Sequence, residues 1–218
     1  MRPDQGSIAM TISERTAAAQ RRQKSAYDSP WTIAERARML AWDFCWPLLC
    51  AWTPKPLNRW RLFWLKRFGC RIDGLPFVHQ RAVIQKPWNL ILHDRACLGD
   101  RAVAYSLGVI ELMPRSTVAQ EAYLCTGTHD FSDAGLPLLT AGIVVDEDAF
   151  VGARAFVMPG VTVGRGAVVG ACSVVTRDVE KWTVSAGNPC RQIGSRFLAG
   201  ADRIPGPDER PRAQRQST

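Results

Sequence analysis

The chain has 218 residues, 46% of them hydrophobic and 22% charged, with a formal net charge of +8. This is a globular composition, long enough for one domain with an appendage. The excess charge lies in residues 1–70, which hold 12 Lys or Arg against 5 Asp or Glu, while residues 71–198 hold 12 of each. A nucleic-acid binder carries its basic footprint on the folded body, so this distribution argues against nucleic acid as a partner.

The seven cysteines (Cys45, Cys50, Cys70, Cys97, Cys125, Cys172 and Cys190) include no C-x-x-C pair. A zinc site and a disulfide framework are therefore not expected, and scattered free thiols suit a reducing cytoplasm. No metal ligand set stands out. Residues 1–26 contain no apolar run of the kind a signal peptide needs. Residues 39–52 are apolar but include Asp43 and Pro47, and they fall short of the ~20 residues of a spanning helix.

In chain order, residues 1–28 are polar, charged and aperiodic, which predicts disorder. Residues 29–70 form a helical segment. A first helix is expected over 32–52, ended by Thr53-Pro54-Lys55-Pro56. A second is expected over 57–68, with Leu57, Trp60, Trp64 and Phe68 on one stripe and Gly69 as its stop.

Residues 71–198 carry a repeat. Val145, Val151, Val157, Val163, Val169 and Val175 recur every six residues. Four places after each stand Ala149, Ala155, Val161, Ala167, Ser173 and Val179, mostly small. A helix at 3.6 residues per turn would smear such a stripe, whereas a short strand followed by a turn preserves it. The aliphatic residue points inward, the small one fits the corner, and Gly152, Gly164 and Gly170 are expected to supply φ > 0. Three faces close one coil of 18 residues, and coils stack at ~4.8 Å into a parallel β-helix.

The register continues upstream through Val78/Ala82, Leu92/Ala96, Leu98/Ala102, Leu112/Ser116, Val118/Ala122 and Leu124/Thr128. It slips by two residues near Pro87 and again between Leu98 and Leu112. After Leu124 the next fitting position is Val145, which predicts a loop over residues 130–142. Residues 199–218 are rich in Arg, Pro, Asp and Gln and read as a disordered tail.

The chain has three histidines. His79 and His93 directly follow inward residues, which places them on the solvated surface. His129 differs, because it closes the run Cys125-Thr126-Gly127-Thr128-His129-Asp130 at the lip of the loop. A polar cluster beside an excursion is where a solenoid would carry a site, and imidazole is suited to proton transfer near neutral pH. Position alone leaves open a simple turn in which His129 and Asp130 cap backbone groups. Cys125 reads as a small structural residue, and Asp146-Glu147-Asp148 as a solvated corner.

The run from Val145 to Val179, closed by Ala186-Gly187-Asn188-Pro189, resembles the hexapeptide-repeat acyltransferases. Pro87-Trp88-Asn89-Leu90, the Cys-Thr-Gly-Thr-His-Asp run and the Trp-rich helices resemble their colanic-acid or exopolysaccharide O-acetyltransferase branch. The resemblance covers residues 29–198. It implies a left-handed coil, a homotrimer with sites between subunits, acetyl-CoA as donor and no metal. It further implies a saccharide acceptor, His129 as general base with Asp130 beside it, and donor contacts at Ala153, Ala171, Thr176 and Arg177. The chain departs from the family in two places. Ala104-Tyr105-Ser106-Leu107 stands where relatives often carry an acceptor-contacting Asn. Gly194 stands where a basic residue often meets CoA, with Arg191 and Arg196 as substitutes. Alternatives are a non-catalytic scaffold, and an acetyltransferase of serine or an amino sugar. Residues 31–68, basic and Trp-rich, suit either peripheral contact at the inner face of a membrane or the capping of the solenoid.

Overall fold

The computed structural model describes residues 20–21 and 29–197. The helical segment comes first. Helix α1 (Ile33–Leu49) begins in a capping box: the Glu35 N–H donates to Thr32 Oγ1 at 3.1 Å, and the Thr32 N–H donates back to Glu35 Oε2 at 3.0 Å. Helix α2 (Asn58–Arg67) ends in a Schellman motif. Cys70 N–H bonds to the Leu65 carbonyl, Gly69 N–H to that of Lys66, and Gly69 takes φ +93°.

The solenoid follows as a parallel β-helix, built coil by coil. The first coil is β2 (Arg71–Ile72), β3 (Phe77–Val78) and β4 (Val83–Ile84). The second is β5 (Leu90–Leu92), β6 (Cys97–Leu98) and β7 (Val103–Tyr105). The third is β8 (Ile110–Leu112), β9 (Thr117–Val118) and β10 (Tyr123–Cys125). A hairpin then leaves the coil, made of β11 (Gly127–His129) and β12 (Leu138–Thr140). The fourth coil is β13 (Ile143–Val145), β14 (Phe150–Val151) and β15 (Phe156–Val157). The fifth is β16 (Thr162–Val163), β17 (Val168–Val169) and β18 (Val174–Val175). The sixth is partial: Val179 bridges Val163, and β19 (Thr183–Ala186) pairs with β17 and, antiparallel, with β20 (Arg191–Ser195).

Corresponding strands of each coil stack into three sheets, referred to here as faces one, two and three. On face one the inward column is Leu92, Leu112, Val145 and Val163. On face two it is Val78, Leu98, Val118, Val151 and Val169, and on face three Ile84, Ala104, Leu124, Val157 and Val175. All are buried, each large aliphatic being worth ~1.5–3 kcal/mol relative to exposure.

The corners differ from expectation in how they use glycine. Gly152, Gly164 and Gly170 are not at positive φ. A Cβ on Gly152 would meet the backbone of the next coil at 2.6 Å from the Val169 oxygen, so glycine is required there by coil spacing. The left-handed residue falls two places later and is mostly not glycine: Arg95, Arg101, Arg115, Glu121, Asp148, Arg154, Cys172 and Trp182. At Gly152–Ala155, for example, Ala155 N–H bonds to the Gly152 carbonyl across Ala153 and Arg154 (φ +59°), which is a type II turn. Several of these residues stack into ion pairs: Arg101 and Arg154 on Glu121, and Arg115 on Glu147 and Asp148. Asp146-Glu147-Asp148 is thus a paired corner, with Arg165 also on Glu147. His79 is buried, not solvated, with Nδ1 at 3.1 Å from Asp100. His93 is half-buried, its Nε2 at 3.0 Å from Glu111.

Only half of the apolar stripe expected on α2 is on the packed side: Trp64 and Phe68 are half-buried against the core. Leu57 and Trp60 are exposed, and Arg61, Leu62 and Leu65 are buried. The reason is the open end of the solenoid, whose first strands have unpaired backbone groups. Asn58 donates to the Pro76 carbonyl and accepts from Val78 N–H, and Arg61 Nε donates to the Val78 carbonyl. Trp42 of α1 donates its indole N–H to Ile84 on β4. Polar side chains therefore fix which face of α2 turns inward, and the helices cap the solenoid. Among the described residues no helix is long and apolar enough to cross a membrane.

Of residues 1–28, only Gln20–Arg21 (β1) is described; it pairs antiparallel with β12 at the hairpin edge. The tail, residues 199–218, lies outside the described residues.

Candidate active site

Every register slip falls on the same corner, between face three and face one. The step from Ile84 to Leu92 makes room for a 3-10 turn at Pro87–Asn89. The step from Ala104 to Leu112 adds Ser106 and Leu107, and the step from Leu124 to Val145 adds the hairpin. These insertions are bonded to one another. Lys86 N–H donates to Ser106 Oγ at 2.9 Å, and Asn89 Nδ2 to the carbonyls of Ser106 and Leu107 at 2.9 Å each. Thr126, buried, accepts from Gly108 N–H at 2.8 Å and donates its hydroxyl to the Tyr105 carbonyl at 2.6 Å. Thr128 does not take a coil corner: it pairs with Leu139 in the hairpin, so the chain leaves the coil directly after Thr126.

His129 ends β11 and is exposed. Its Nδ1 lies 2.7 Å from the Leu136 carbonyl. A carbonyl only accepts, so Nδ1 carries the proton, and in the neutral ring the lone pair is on Nε2. Leu136 is held for this contact at φ +44°, its own N–H bonded to the Asp133 carbonyl at 2.8 Å. Asp130 is adjacent in sequence, but Nδ1 is served by the carbonyl. The Asp130 carboxylate accepts from Ser132 N–H at 3.0 Å and Ser132 Oγ at 2.5 Å, which shapes the hairpin tip. Cys125 donates to the Gly127 carbonyl at 3.2 Å, and burial pushes its thiol pKa up, which makes it a poor nucleophile.

The other expected residues lie along the two edges of face three in the later coils. Ala153 and Ala171 sit one above the other on the face two–face three corner, with Cys172 N–H bonded to the Ala153 carbonyl at 2.9 Å. Thr176 and Arg177 follow β18 on the His129 corner, two coils beyond β10, which is ~10 Å at the usual strand spacing. Ala153 and Ala171 present only methyl groups on their corner, and the exposed Arg177 places a cation on the opposite edge of face three. Arg196 is engaged elsewhere, with Nη1 donating to Asp148 and Gly166 carbonyls, and Gly194 lies within β20.

Between these edges, face three presents a column that the hexapeptide pattern does not register, since it reads only the inward residues. Tyr105, Tyr123 and Phe156 stack outward with ring centroids 6.0 and 4.9 Å apart. Burial raises both tyrosine pKa values, with Cys125 adding to the effect. Among the described residues no three His, Cys, Asp or Glu side chains converge as metal ligands.

Residues 142–177 match the family model described as "Bacterial transferase hexapeptide (six repeats)". Over 146 residues the chain is 39% identical to the WcaF protein of Escherichia coli K12, named for acetyltransferase activity in colanic acid biosynthesis. That alignment spans 67% of this chain and 80% of WcaF. The chain belongs to the hexapeptide-repeat acetyltransferases, in their colanic-acid branch. As an acetyltransferase of this family it is an enzyme, and the scaffold alternative falls. Solved structures agree in fold. A maltose O-acetyltransferase from Clostridium difficile 630 superposes with TM-score 0.67 at 22% identity, covering 88% of this chain and 100% of that one. VCA0836 from Vibrio cholerae, a hexapeptide-repeat acetyltransferase crystallised with acetyl-CoA, gives TM-score 0.65 at 18% identity, covering 87% and 100%.

Proposed function

We propose that this acetyltransferase moves an acetyl group from acetyl-CoA to a hydroxyl of a saccharide, an exopolysaccharide precursor, with His129 as general base. The observation that carries this reading is the hydrogen bond from His129 Nδ1 to the Leu136 carbonyl, which leaves Nε2 free and fixes the ring plane. Nε2 takes the proton of the acceptor hydroxyl as its oxygen attacks the thioester carbonyl; as the C–S bond breaks the proton passes from Nε2 to the sulfur, and CoA leaves as the thiol. Asp130 acts through the hairpin tip, as a positioning residue.

The donor runs along Ala153 and Ala171, with Thr176 and Arg177 at its far edge. The hairpin supports a homotrimer. It projects from the coil and ends in Phe131, which is 82% exposed, as expected of a residue that a neighbouring subunit covers. The colanic-acid branch, and the maltose and galactoside acceptors named for acetyltransferases that share the fold, support a saccharide acceptor. The enzyme works in the cytoplasm without a metal, at the inner face of the membrane, where a lipid-carried precursor would be met.

His129→Ala tests the base. Thiol release from acetyl-CoA, measured with a panel of mono- and oligosaccharide acceptors, should fall by ~10²–10⁴-fold, the usual contribution of a general base. Activity within about tenfold of wild type would remove His129 from that role.

A further inference from the structure

The helical segment caps the solenoid with one side and leaves the other bare. On α1, Trp42 and Trp46 pack inward, while Leu40, Phe44 and Leu48 form a row one turn apart on the outside. Phe44 is 63% exposed and Leu48 65%. The row continues into α2 through specific contacts. Trp52, 69% exposed, donates its indole N–H to the Leu48 carbonyl at 2.7 Å. Trp60 donates to the Leu49 carbonyl at 2.7 Å, and Phe63, 55% exposed, stacks on Trp60 with centroids 6.0 Å apart. Single exposed apolar side chains are ordinary, but a connected ridge of aromatics marks a contact surface.

The charges around the ridge identify the contact. One helical turn from Phe63 stand Arg59, Lys66 and Arg67, all exposed. Residues 29–70 hold 7 Lys or Arg against 2 Asp or Glu. Beside them a groove of about 460 Å³ is lined by Arg38, Trp64, Arg67 and Phe68. Arg38 gives one N–H to the Phe68 carbonyl at 2.6 Å and lies over the Trp88 ring, which fixes its guanidinium at the groove. With Arg67 it brings two guanidinium groups to the groove, the donors that a phosphate takes.

A symmetric contact of this ridge with a second copy would set Arg59, Lys66 and Arg67 near their own copies and strip them of water, an excess that the single exposed Asp43 beside Phe44 does not balance. A bilayer surface instead lets the rings sit at headgroup depth while the cations stay among lipid phosphates. We propose that the exposed ridge of α1 and α2 docks the enzyme on an anionic phospholipid bilayer, with a headgroup phosphate in the Arg38–Trp64–Arg67 groove. The inference rests on the proposed place at the membrane and is independent of which sugar is acetylated.

The test is co-flotation of the full chain with vesicles of phosphatidylcholine containing about one-third phosphatidylglycerol, against phosphatidylcholine alone, at low ionic strength. Wild type should float with the anionic vesicles and lose binding as salt is raised. Phe44→Ser/Phe63→Ser should bind at least about tenfold more weakly. Arg59→Ser/Lys66→Ser/Arg67→Ser should lose on the order of 10²-fold, since each basic side chain near such a surface contributes roughly fivefold. Both variants should keep the wild-type melting temperature, hydrodynamic mass and acetyl transfer to a soluble saccharide. Wild type remaining at the bottom with anionic vesicles, or both variants floating as well as wild type, overturns the proposal. So does a smaller oligomer on the Phe substitutions, which would make the ridge an interface between copies. A failure of sugar acetylation in wild type would overturn the functional reading while leaving the flotation result intact.

Discussion

Gly152→Ala is the sharpest test of why the corners carry glycine. The added Cβ would lie 2.6 Å from the Val169 oxygen, 2.7 Å from Ala171 N and 2.8 Å from Gly170 C. All three are backbone atoms of the next coil, so no side chain can swing aside. Reaching ordinary contact requires the two coils to part locally by ~0.8 Å, against strand hydrogen bonds that hold them at ~4.8 Å. Over-packing of this kind costs ~1–3 kcal/mol. For a chain of this size that lowers the melting temperature by ~3–10 °C. Gly194→Ala is the control, because nothing lies within 4 Å of its Cβ; it should melt within ~1 °C of wild type, as surface substitutions do. Differential scanning calorimetry of the two variants decides the matter. Since Gly152 precedes Ala153 on the proposed donor edge, KM for acetyl-CoA should also rise, with kcat little changed. A Gly152→Ala protein as stable as Gly194→Ala would show that corner glycines are not set by coil spacing.

Two further outcomes follow from buried polar groups. Arg61 donates to Val78, Pro54 and Lys55 carbonyls and to Thr53 Oγ1; Arg61→Leu leaves these acceptors unpaired and should lower stability by ~3–5 kcal/mol in urea unfolding. Arg61→Lys should recover only part of that, because an ammonium cannot span the same acceptors. His79 has its pKa lowered from 6.5, chiefly by burial, with Asp100 opposing. The unfolded chain therefore takes up this proton first, and stability should fall as pH drops from about 6.5 toward 5. The shifted carboxylates Asp94, Glu121 and Asp148 are held below their ordinary values of 3.8 to 4.5, so their contribution is lost only at lower pH. His79→Gln should flatten the melting temperature between pH 6.5 and 5, and an unchanged slope would count against the assignment.

The solenoid was legible in the sequence because burial there obeys one simple rule. Each inward residue must be aliphatic and must repeat at the strand-plus-turn spacing, so Val145 to Val175 record the coil directly. The slips after Ile84, Ala104 and Leu124 were visible as breaks. Their alignment on one corner follows only when the coils are stacked. What the repeat does not encode is anything that depends on partners from other coils. His79 looks like a surface residue until Asp100, one coil on, is placed against it. The inner face of α2 is chosen by Asn58 and Arg61 meeting open strand edges, which an apolar stripe does not register. The Leu136 carbonyl carries no side-chain signal at all, so the group bonded to His129 Nδ1 had no trace in the motif, which shows only Asp130 next door.

The role proposed for His129 requires its nitrogen to be held to within a fraction of an ångström, and an exposed hairpin is a poor place to do so unless both its root and the ring itself are fixed. The root is fixed by Thr126. Its hydroxyl bonds to the Tyr105 carbonyl and to Gly108 N–H, and its carbonyl accepts from Ala141 N–H at 3.0 Å as the chain returns. Tyr105 and Gly108 flank the insertion one coil earlier, which is itself tied through Ser106 to Lys86 and Asn89. The three insertions therefore form one buttress whose rigidity comes from the close-packed coils beneath. It extends to within three residues of His129, and the Leu136 carbonyl secures the ring beyond it. Had the slips been scattered over different corners, each would have been a separate loop on the surface, and none could have supported the next.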